Sequence, residues 1–320
     1  MKILVTGGAG FIGSHLCEAL LKRGDSVIAL DDFSTGNSRN LDSVSNHPKF
    51  EFVTGSILDE RLIHSLVNRV DSVMHFAAAV GVQKILNDPI NSLRTNIQGS
   101  ELVLTSSAKL NKPTILASTS EIYGKNPEVP LTEESDRVLG SPLLSRWTYS
   151  EAKALDEFFA HALYLDSGWN VKIVRLFNVV GPRQSAAYGM VIPRFVNAAL
   201  SNENLKVYGD GTQRRVFCHV NDAIEGIISL SDSREGLGET YNLGGIEEIS
   251  ILDLAMQIIE KTMSSSEIDF VPYAHLPTGF EDMARRVPDT SKLTKLTNWR
   301  AKLNLEMIIK DAISYAQEIH

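Results

Sequence analysis

The first thirteen residues, MKILVTGGAGFIG (1–13), decide the fold. Residues 2–6, Lys-Ile-Leu-Val-Thr, contain β-branched residues and no breaker, which predicts a short strand. A glycine-rich turn, GGAGFIG (7–13), follows at once, and from Ser14 onward apolar residues recur at helical spacing. Glycines here allow a tight turn, close approach of a pyrophosphate to the backbone, and a helix N-terminus that faces the anion.

A second strand that ends in an acid makes this motif more specific. A glycine-rich turn alone also fits an ordinary strand-turn-helix unit that binds nothing. Residues 26–30 form the expected second strand and lead into Asp31 and Asp32, about 20 residues after the glycines. A carboxylate at this place accepts both ribose hydroxyls of NAD and repels the 2′-phosphate of NADP. The sequence therefore predicts NAD as the cofactor.

The composition is that of an ordinary globular protein. The chain has 320 residues, 43% hydrophobic and 22% charged, which is enough for one large or two ordinary domains. A net charge of −8 without a Lys/Arg cluster argues against a nucleic-acid partner. The chain opens on a strand and has no apolar run that could cross a bilayer, so we expect a cytoplasmic protein with no membrane partner. Cys17 and Cys218 lack metal-ligand spacing and are expected to be buried thiols, and no metal site is predicted.

Strands and helices alternate through the first half of the chain. Six or more strands separated by helices predict a parallel sheet covered on both faces, a doubly wound Rossmann fold of the α/β class. After Gly-Pro-Arg (181–183), helices alternate with short strands and Gly/Pro turns, which indicates a smaller α/β substrate-binding domain. We therefore predict an NAD-binding domain over residues 1–180, with a return segment around 216–245, and a substrate-binding domain over 181–320.

Two segments at the carboxyl ends of predicted strands carry candidate chemistry, because open α/β sheets bind ligands there. The first is STSEIYG (118–124), and the second begins at Tyr149 and Lys153 near a helix start. Residues four apart share one helix face, so Lys153 is expected to lower the pKa of the Tyr149 phenol and to bind the nicotinamide ribose. The phenolate then removes a proton from a substrate hydroxyl, to which Thr119 also hydrogen-bonds. Alone, the pair also fits a surface helix, but the preceding nucleotide-binding motif favours the functional interpretation.

Eight segments match the landmarks of one enzyme family. They are TGGAGFIG (6–13), Asp31-Asp32, HFAAA (75–79), STSEIYG (118–124), YSEAK (149–153), RLFNVVGPR (175–183), VYGDGTQRRVFCHV (207–220) and RRVPDTSKL (285–293). Together they resemble the extended short-chain dehydrogenases/reductases of the NAD-dependent nucleotide-sugar epimerase/dehydratase family, over nearly the whole chain. The resemblance implies an enzyme that oxidises C4 of a nucleotide sugar, here expected to be UDP-linked, to a 4-keto intermediate and later returns the hydride. Residues 181–320 would bind the nucleotide sugar.

The resemblance also implies roles for individual residues. Those implied to form the NAD site are Gly7, Gly10, Phe11, Ile12, Gly13, Asp31, Asp32, Ser34, Ser56, Ile57, Ala77, Ala78, Ala79, Asn96, Tyr149 and Lys153. Thr119, Tyr149 and Lys153 would form the oxidation triad. Those implied to contact the nucleotide sugar are Asn178 and Arg215 at the diphosphate, Tyr208 near the base and Arg286 near the diphosphate or sugar. Ser56 departs from the family pattern, because many relatives carry an acid there for the adenine amine.

The triplet Thr119-Ser120-Glu121 bears on which reaction follows the oxidation. It resembles UDP-glucuronate decarboxylases and GDP-mannose 4,6-dehydratases, whereas simple 4-epimerases resemble a Ser/Thr followed by small uncharged residues. In a decarboxylase, Ser120 and an arginine such as Arg286 would handle the carboxylate. In a dehydratase, Glu121 would be the base at C5 and the acid at the departing C6 hydroxyl. Glu121 also fits a salt-bridged wall residue that moves no proton.

The whole chain also resembles bacterial UDP-sugar 4-epimerases, so more than one outcome stays open. UDP-glucuronate decarboxylation is placed first. Epimerisation at C4, of UDP-glucose/galactose or UDP-glucuronate/galacturonate, is second, and 4,6-dehydration third. A non-catalytic NAD-binding regulator is disfavoured because Tyr149 and Lys153 are both present. Relatives pair two long helices per subunit, and residues 90–110 and 149–165 therefore predict a homodimer.

Overall fold

A parallel sheet organises the chain. The computed structural model describes residues 1–80, 88–186, 190–275 and 281–319. With strands numbered in chain order, the sheet contains β1 (Lys2–Thr6), β2 (Ser26–Asp31), β3 (Phe50–Thr54), β4 (Ser72–His75), β5 (Thr114–Thr119), β6 (Val171–Leu176) and β11 (Thr240–Leu243). Within the described ranges these seven strands lie in the order β3-β2-β1-β4-β5-β6-β11, and every neighbouring pair is parallel. The expected doubly wound Rossmann fold is confirmed.

Helices cover both faces of this sheet. They are α1 (Phe11–Arg23), α2 (Glu60–Asn68), α3 (Pro89–Arg94), α4 (Ser100–Lys109), α5 (Thr148–Ser167), α6 (Val191–Leu200), α7 (Val220–Asp232), α8 (Ile251–Thr262), α9 (Ser291–Thr297) and α10 (Leu305–Ile319). Apolar side chains of α1, α7 and α9 join one core cluster, whereas α2, α4 and α5 bury theirs in two others. A π-helical turn, Thr95–Gly99, joins α3 to α4, so the helical pattern expected over 90–110 carries a local widening.

The C-terminal half adds a second core and three small sheets. Its strands are β7 (Val179–Val180), β8 (Leu205–Tyr208), β9 (Arg214–Val216), β10 (Cys218–His219), β12 (Glu248–Ser250), β13 (Ile268–Val271) and β14 (Arg285–Arg286). Helices α6, α8 and α10 pack together with β8 around this second core. Strand β9 lies between β12 and β14, and its register places Arg215 opposite Arg286.

Parallel strands all point their carboxyl ends to one edge of the sheet. Strands β1, β2, β4 and β5 end at Thr6, Asp31, His75 and Thr119. The residues that follow them are the glycine turn, Asp32, the segment from Phe76 and the 3₁₀ turn that begins at Ser120. The fold therefore gathers segments far apart in sequence at the edge where ligands bind in such sheets.

Three observations on the described part of the chain concern membrane-spanning helices, metal binding and the two cysteines. None of its helices is long and apolar enough to span a bilayer. No group of three or more His, Cys, Asp or Glu side chains there is arranged to hold a metal ion. Cys17 and Cys218 are free and buried, in α1 and β10. Burial raises the pKa of both thiols, which leaves them as unreactive core residues.

A buried polar network connects three neighbouring strands of the sheet. Arg175 on β6 donates to both carboxylate oxygens of Glu157 on α5, at 3.0 and 2.7 Å, and to the Tyr123 hydroxyl at 2.8 Å. Ser118 on β5 donates to the same Glu157 at 2.5 Å, and Tyr123 donates to Asn242 on β11 at 2.6 Å. An ion pair in such a place is costly to break, since removing one partner leaves a buried charge uncompensated.

Replacement of Arg175 tests this network against an exposed pair. Arg175→Met leaves the buried Glu157 carboxylate without its cation. We expect this to lower the free energy of unfolding by about 3–5 kcal/mol. Arg69→Met is the control, because its pair with Glu51 is about 40% exposed on both sides and should be worth at most about 1 kcal/mol. Urea unfolding of both variants measures the difference. Equal losses would show that burial does not govern these pairs.

Candidate active site

A cavity of about 1060 Å³ opens at the carboxyl edge of the sheet. It brings together most of the residues predicted as site residues. Those on its wall are Gly7, Gly10, Phe11, Ile12, Gly13, Asp31, Asp32, Ser34, Ile57, Ala77, Ala78, Thr119, Ser120, Glu121, Tyr149, Lys153, Asn178, Tyr208, Arg215 and Arg286. Ser56, Ala79 and Asn96 are not among the residues that line it. One cavity therefore joins the glycine turn, the Tyr149–Lys153 helix and the C-terminal arginines.

The glycine turn brings two backbones into contact. A Cβ atom on Gly13 would lie 2.0 Å from the carbonyl oxygen of Gly7, so only glycine fits between the first turn of α1 and β1. Gly7 itself has φ +72°, and a Cβ there would lie 2.8 Å from the Ala77 nitrogen. A Cβ on Gly10, in contrast, would meet only the Gly7 carbonyl oxygen, at 3.1 Å. The N-terminus of α1 thus stays open toward the cavity, as an anion requires.

Asp31 is the inward carboxylate at the end of β2. Its oxygens accept hydrogen bonds from the backbone nitrogens of Ala9, at 3.0 Å, and Phe33, at 2.8 Å. Burial raises the pKa of this carboxyl, and the two backbone donors oppose the rise. Asp32 is exposed and caps the next turn by accepting from the Ser34 nitrogen at 2.9 Å. The carboxylate predicted for the ribose is therefore anchored to the glycine turn itself.

Three residues predicted to form the NAD site, Ser56, Ala79 and Asn96, are not on the cavity wall but lie next to residues or segments that are. Asn96 binds the backbone of Ala79 with both ends of its side chain, accepting from the nitrogen at 2.6 Å and donating to the oxygen at 3.0 Å. This pair fastens the segment after β4 to the π-helical turn. The Ser56 hydroxyl accepts from the Leu58 nitrogen at 3.3 Å. Gly55 and Ile57, on either side of Ser56, are the ones on the cavity wall.

Tyr149 and Lys153 lie one turn apart at the start of α5, with Thr119 at the end of β5 on the same cavity. The Lys153 ammonium donates to the carboxylate of Asp156 at 3.1 Å. Burial raises the pKa of the Tyr149 phenol, and the charges of Glu121 and Asp156 add to the rise. This net direction is opposite to the one expected from Lys153, whose ammonium is paired with the Asp156 carboxylate, and the effect of Lys153 on the phenol stays a prediction.

Glu121 is held between two arginines. Arg146 donates to its Oε2, and Arg286 donates to its Oε1 at 2.6 Å and to the Asn178 side-chain oxygen at 2.7 Å. Burial alone would raise the pKa of Glu121, but the two guanidinium groups lower it to about 2. The Nε of Arg286 is buried without a hydrogen-bond partner among the described residues. The cluster is ionised at neutral pH and holds more positive than negative charge.

The diphosphate candidates are already bonded within the protein. Arg215 donates to Asp282 at 2.6 Å and to the Met283 carbonyl at 2.7 Å. Asn178 donates to the Val216 carbonyl at 2.7 Å. These bonds fix the orientation of both side chains at the cavity wall.

Comparisons with known proteins agree with this geometry. The family model described as GDP-mannose 4,6 dehydratase matches residues 4–312. A UDP-N-acetyl-alpha-D-glucosaminuronate decarboxylase of Bacillus cytotoxicus is 40% identical, over 99% of this chain and 98% of that protein. The chain belongs to the NAD-dependent nucleotide-sugar epimerase/dehydratase family.

Other members of the epimerase/dehydratase family are similar over nearly the whole of this chain. UDP-glucuronic acid decarboxylase 1 of Danio rerio is 35% identical, over 98% of this chain and 72% of that protein. The crystal structure of a UDP-glucuronic acid 4-epimerase from Bacillus cereus, with UDP-glucuronic acid and NAD, has a TM-score of 0.90 at 28% identity and covers 100% of both chains. A dTDP-glucose 4,6-dehydratase from Bacillus anthracis in complex with NAD has a TM-score of 0.87 at 28% identity, over 99% and 97%.

Three charged residues of this family member escaped the sequence analysis. Arg146 lies in SRWTYSEAK beside the predicted Tyr149, yet nothing in the local pattern shows that it reaches Glu121, 25 positions earlier. Asp156 follows Lys153 by three positions, and that helical spacing was the available signal. Asp282 precedes Arg286 in sequence but pairs with Arg215. Each of the three forms an ion pair with a cavity residue that was predicted from the sequence.

Arg146 and Arg286 together form a clamp around Glu121. Glu121→Gln tests this arginine clamp through the pH dependence of the free energy of unfolding. A carboxyl whose pKa is about 2 when folded and near 4.5 when unfolded stabilises the fold above pH 4.5, and this contribution is lost as pH falls toward 2. We expect the stability difference between wild type and variant to shrink by about 2 kcal/mol between pH 7 and pH 3. Urea unfolding at several pH values between 7 and 3 measures it, with Glu51→Gln as an exposed control. A difference that does not vary with pH would contradict the clamp.

Proposed function

We propose that the protein binds NAD, oxidises C4 of a UDP-linked uronic acid and releases the C6 carboxyl as CO₂. The observation that supports this most is the clamp of Arg146 and Arg286 around Glu121. Two positive charges and one negative charge leave +1 on the cavity wall, which suits a substrate with a carboxylate. A neutral hexose offers no charge of its own, so that with such a substrate the balance would have to come from the diphosphate. UDP-glucuronate is our first choice of substrate.

The residues around the glycine turn fit NAD. The open N-terminus of α1 and the absence of side chains at Gly7, Gly10 and Gly13 leave room for a pyrophosphate. Asp31 offers a carboxylate to ribose hydroxyls. When bound, NAD supplies the hydride acceptor for the oxidation at C4 and the hydride donor for the return step. We assign this role to residues 1–180 with the return segment around 216–245, and nucleotide-sugar binding to residues 181–320.

Tyr149 is the proposed base and acid of the reaction. Its phenolate takes the proton from the C4 hydroxyl while Thr119 hydrogen-bonds the same oxygen, and Lys153 fixes the ribose beside them. Oxidation at C4 turns the uronic acid into a β-keto acid. The C5–C6 bond then breaks, CO₂ leaves, and the electron pair moves to the C4 oxygen as an enolate. A proton from water at C5 and reduction at C4, with the Tyr149 proton returned to the oxygen, would complete a UDP-pentose.

In this scheme Ser120 and Arg286 hold the carboxylate until CO₂ leaves. Both lie on the cavity wall, where Arg286 donates to Glu121 and to Asn178. Glu121 keeps its charge throughout, because a carboxyl with a pKa of about 2 is a weak base. This weighs against a 4,6-dehydration in which Glu121 must take a proton from C5 and give one at C6.

Epimerisation at C4 of the same UDP-uronic acid is the second candidate. It is supported by the likeness to the UDP-glucuronic acid 4-epimerase, whose chain is covered completely. The two reactions share the oxidation and differ only in whether the keto sugar loses its carboxyl or rotates. They also share the substrate, so one experiment separates them.

An NMR time course with purified protein and UDP-glucuronate, without added NAD, tests the proposal. We expect the uronate signals to be replaced by those of a UDP-pentose with CO₂ released, which also shows that NAD is retained. A parallel sample with UDP-N-acetylglucosaminuronate compares the two uronic acids for which decarboxylase relatives are named. A UDP-hexuronate inverted at C4 would replace decarboxylation by epimerisation, and no reaction with either uronic acid, even with NAD added, would overturn the proposal.

Tyr149→Phe is the matched control for that experiment. It removes only the hydroxyl that exchanges the proton, so turnover should fall by about 10²- to 10⁴-fold with NAD still bound. A protein that merely binds NAD would behave the same with and without this hydroxyl. An unchanged time course in the variant would therefore remove Tyr149 from the mechanism.

The same proposal includes a homodimer in the cytoplasm. Leu155, Phe158 and Leu165 are 51%, 66% and 70% exposed and follow one another at helical spacing along α5. Ile90, at the start of α3, is 65% exposed. An apolar row of this kind on a long helix suits burial against a second copy, as in the relatives that pair two long helices per subunit. The free, buried cysteines suit a reducing compartment.

Phe158→Glu tests the dimer. Light scattering of the wild type at micromolar concentration should give twice the chain mass of 35.2 kDa, and the variant should shift toward one chain mass because a charge in an apolar interface is costly. Met256→Glu, on α8 and 48% exposed, is the control and should leave the mass unchanged. A wild type that scatters as a single chain would overturn the dimer.

A further inference from the structure

A row of five buried side chains leads from the cavity into the core of the sheet. Lys153 donates to the Oδ2 of Asp156 at 3.1 Å, and Ser100 donates to the same oxygen at 3.0 Å. The Ser100 hydroxyl lies 3.1 Å from the Nε2 of His75, whose Nδ1 lies 2.7 Å from the Thr6 hydroxyl. Every one of the five is at most 3% exposed. The row spans α5, α4, β4 and β1.

Hydrogen-bond chemistry fixes the direction of this row. Ser100 has one hydroxyl proton, which goes to the Asp156 carboxylate, so it must accept from His75. His75 therefore carries its proton on Nε2, and its bare Nδ1 accepts from Thr6. Burial, with the charge of Lys153, lowers the pKa of His75 to about 3, so the ring is neutral at working pH. Each donor in the row points toward Asp156.

The far end of the row reaches the cavity again at another place. The Thr6 hydroxyl oxygen accepts from the backbone nitrogens of Phe76 and Ala77, both at 3.2 Å. Ala77 lies on the cavity wall and is the residue that a side chain on Gly7 would strike. One polar row thus ties the amino group of Lys153 to the backbone beside the glycine turn.

We propose that Asp156, Ser100 and His75 are positioning residues that hold the Lys153 ammonium and the Phe76–Ala77 backbone in one fixed arrangement. Asp156 is the central residue, because its carboxylate accepts hydrogen bonds from both the Lys153 ammonium and the Ser100 hydroxyl. The row ends within the protein at backbone N–H groups, so it orients Lys153 and does not conduct its proton to solvent. This inference rests on the proposed role of Tyr149 and Lys153 in oxidation.

The charge of Asp156 also reaches Tyr149. Within the described residues, the charged and titratable groups that face this cluster are His75 on β4, Glu121 after β5, and Tyr149, Lys153 and Glu157 on α5. Loss of the Asp156 charge would make the Tyr149 phenolate easier to form. It would also leave the buried Lys153 ammonium without a counter-ion. The acid limb of a pH–activity profile, which reports formation of the phenolate, should therefore move in the acid direction.

Asp156→Asn keeps the shape and removes the charge. We expect kcat to fall about 10- to 100-fold, with KM within about 3-fold, bound NAD unchanged and the acid limb of the pH profile moved about one unit toward acid. Asp222→Asn is the control, since Asp222 is also 3% exposed and its carboxylate accepts from the backbone nitrogens of Lys302 and Leu303. Its profile should keep its position. A profile of Asp156→Asn that does not move would reduce Asp156 to a structural role and overturn the proposal.

The tautomer of His75 supplies a test that needs no substrate. In ¹⁵N-histidine-labelled protein, long-range ¹H–¹⁵N spectra should show His75 neutral with its proton on Nε2, its signal being identified by its loss in His75→Gln. A proton on Nδ1 would reverse the row and overturn the inference. A wild type inactive on every uronic acid but with His75 in the Nε2–H form would refute the proposed function and leave the row in place. Ser100→Ala removes the acceptor of the His75 Nε2–H but keeps the ion pair of Lys153 and Asp156. In this variant His75 should no longer be restricted to the Nε2–H tautomer.

Discussion

The contact between Gly7 and Gly13 is the constraint on which the arrangement of the cavity depends. With 2.0 Å between the Gly7 oxygen and the place of a Gly13 Cβ, α1 starts directly against the end of β1. Its N-terminus must therefore open at the carboxyl edge of the sheet. Asp31 then fixes the turn from the next strand by accepting from Ala9. Because all the strands are parallel, Thr119 and the segment after His75 reach this same edge without further adjustment.

Charges around the cavity are balanced in pairs and triplets. Lys153 has Asp156, Arg215 has Asp282, and Glu121 has two arginines. A buried ion without a partner costs several kcal/mol, so a charged substrate enters such a site at low cost only where the balance is incomplete. Of these three groups, the Glu121 triplet is the one in which the balance is incomplete, by one positive charge. This excess charge is the reason for proposing a uronic acid, and not a neutral sugar, as the substrate.

Much of the fold and of the cavity wall was predictable from sequence, because both depend on local signals. Alternating strands and helices, the glycine turn and Asp31 are read from adjacent residues, and parallel pairing then decides where their ends meet. The positions of Ser56 and Asn96 behind the wall were not predictable in the same way. Asn96 lies in the π-helical turn, where the usual helical spacing does not tell which way a side chain points. Arg146 reaches Glu121 only through the folded chain.

The pKa of Tyr149 shows most clearly what local pattern cannot supply. A lysine four residues away on one helix face suggests a lowered pKa, but the pattern does not show where the counter-ion of that lysine lies. The Lys153 ammonium is paired with Asp156. Burial, together with the charges of Glu121 and Asp156, raises the pKa of the phenol. Burial and both carboxylates thus act on the phenol in the same direction, and only a cation that is not paired elsewhere would act in the other.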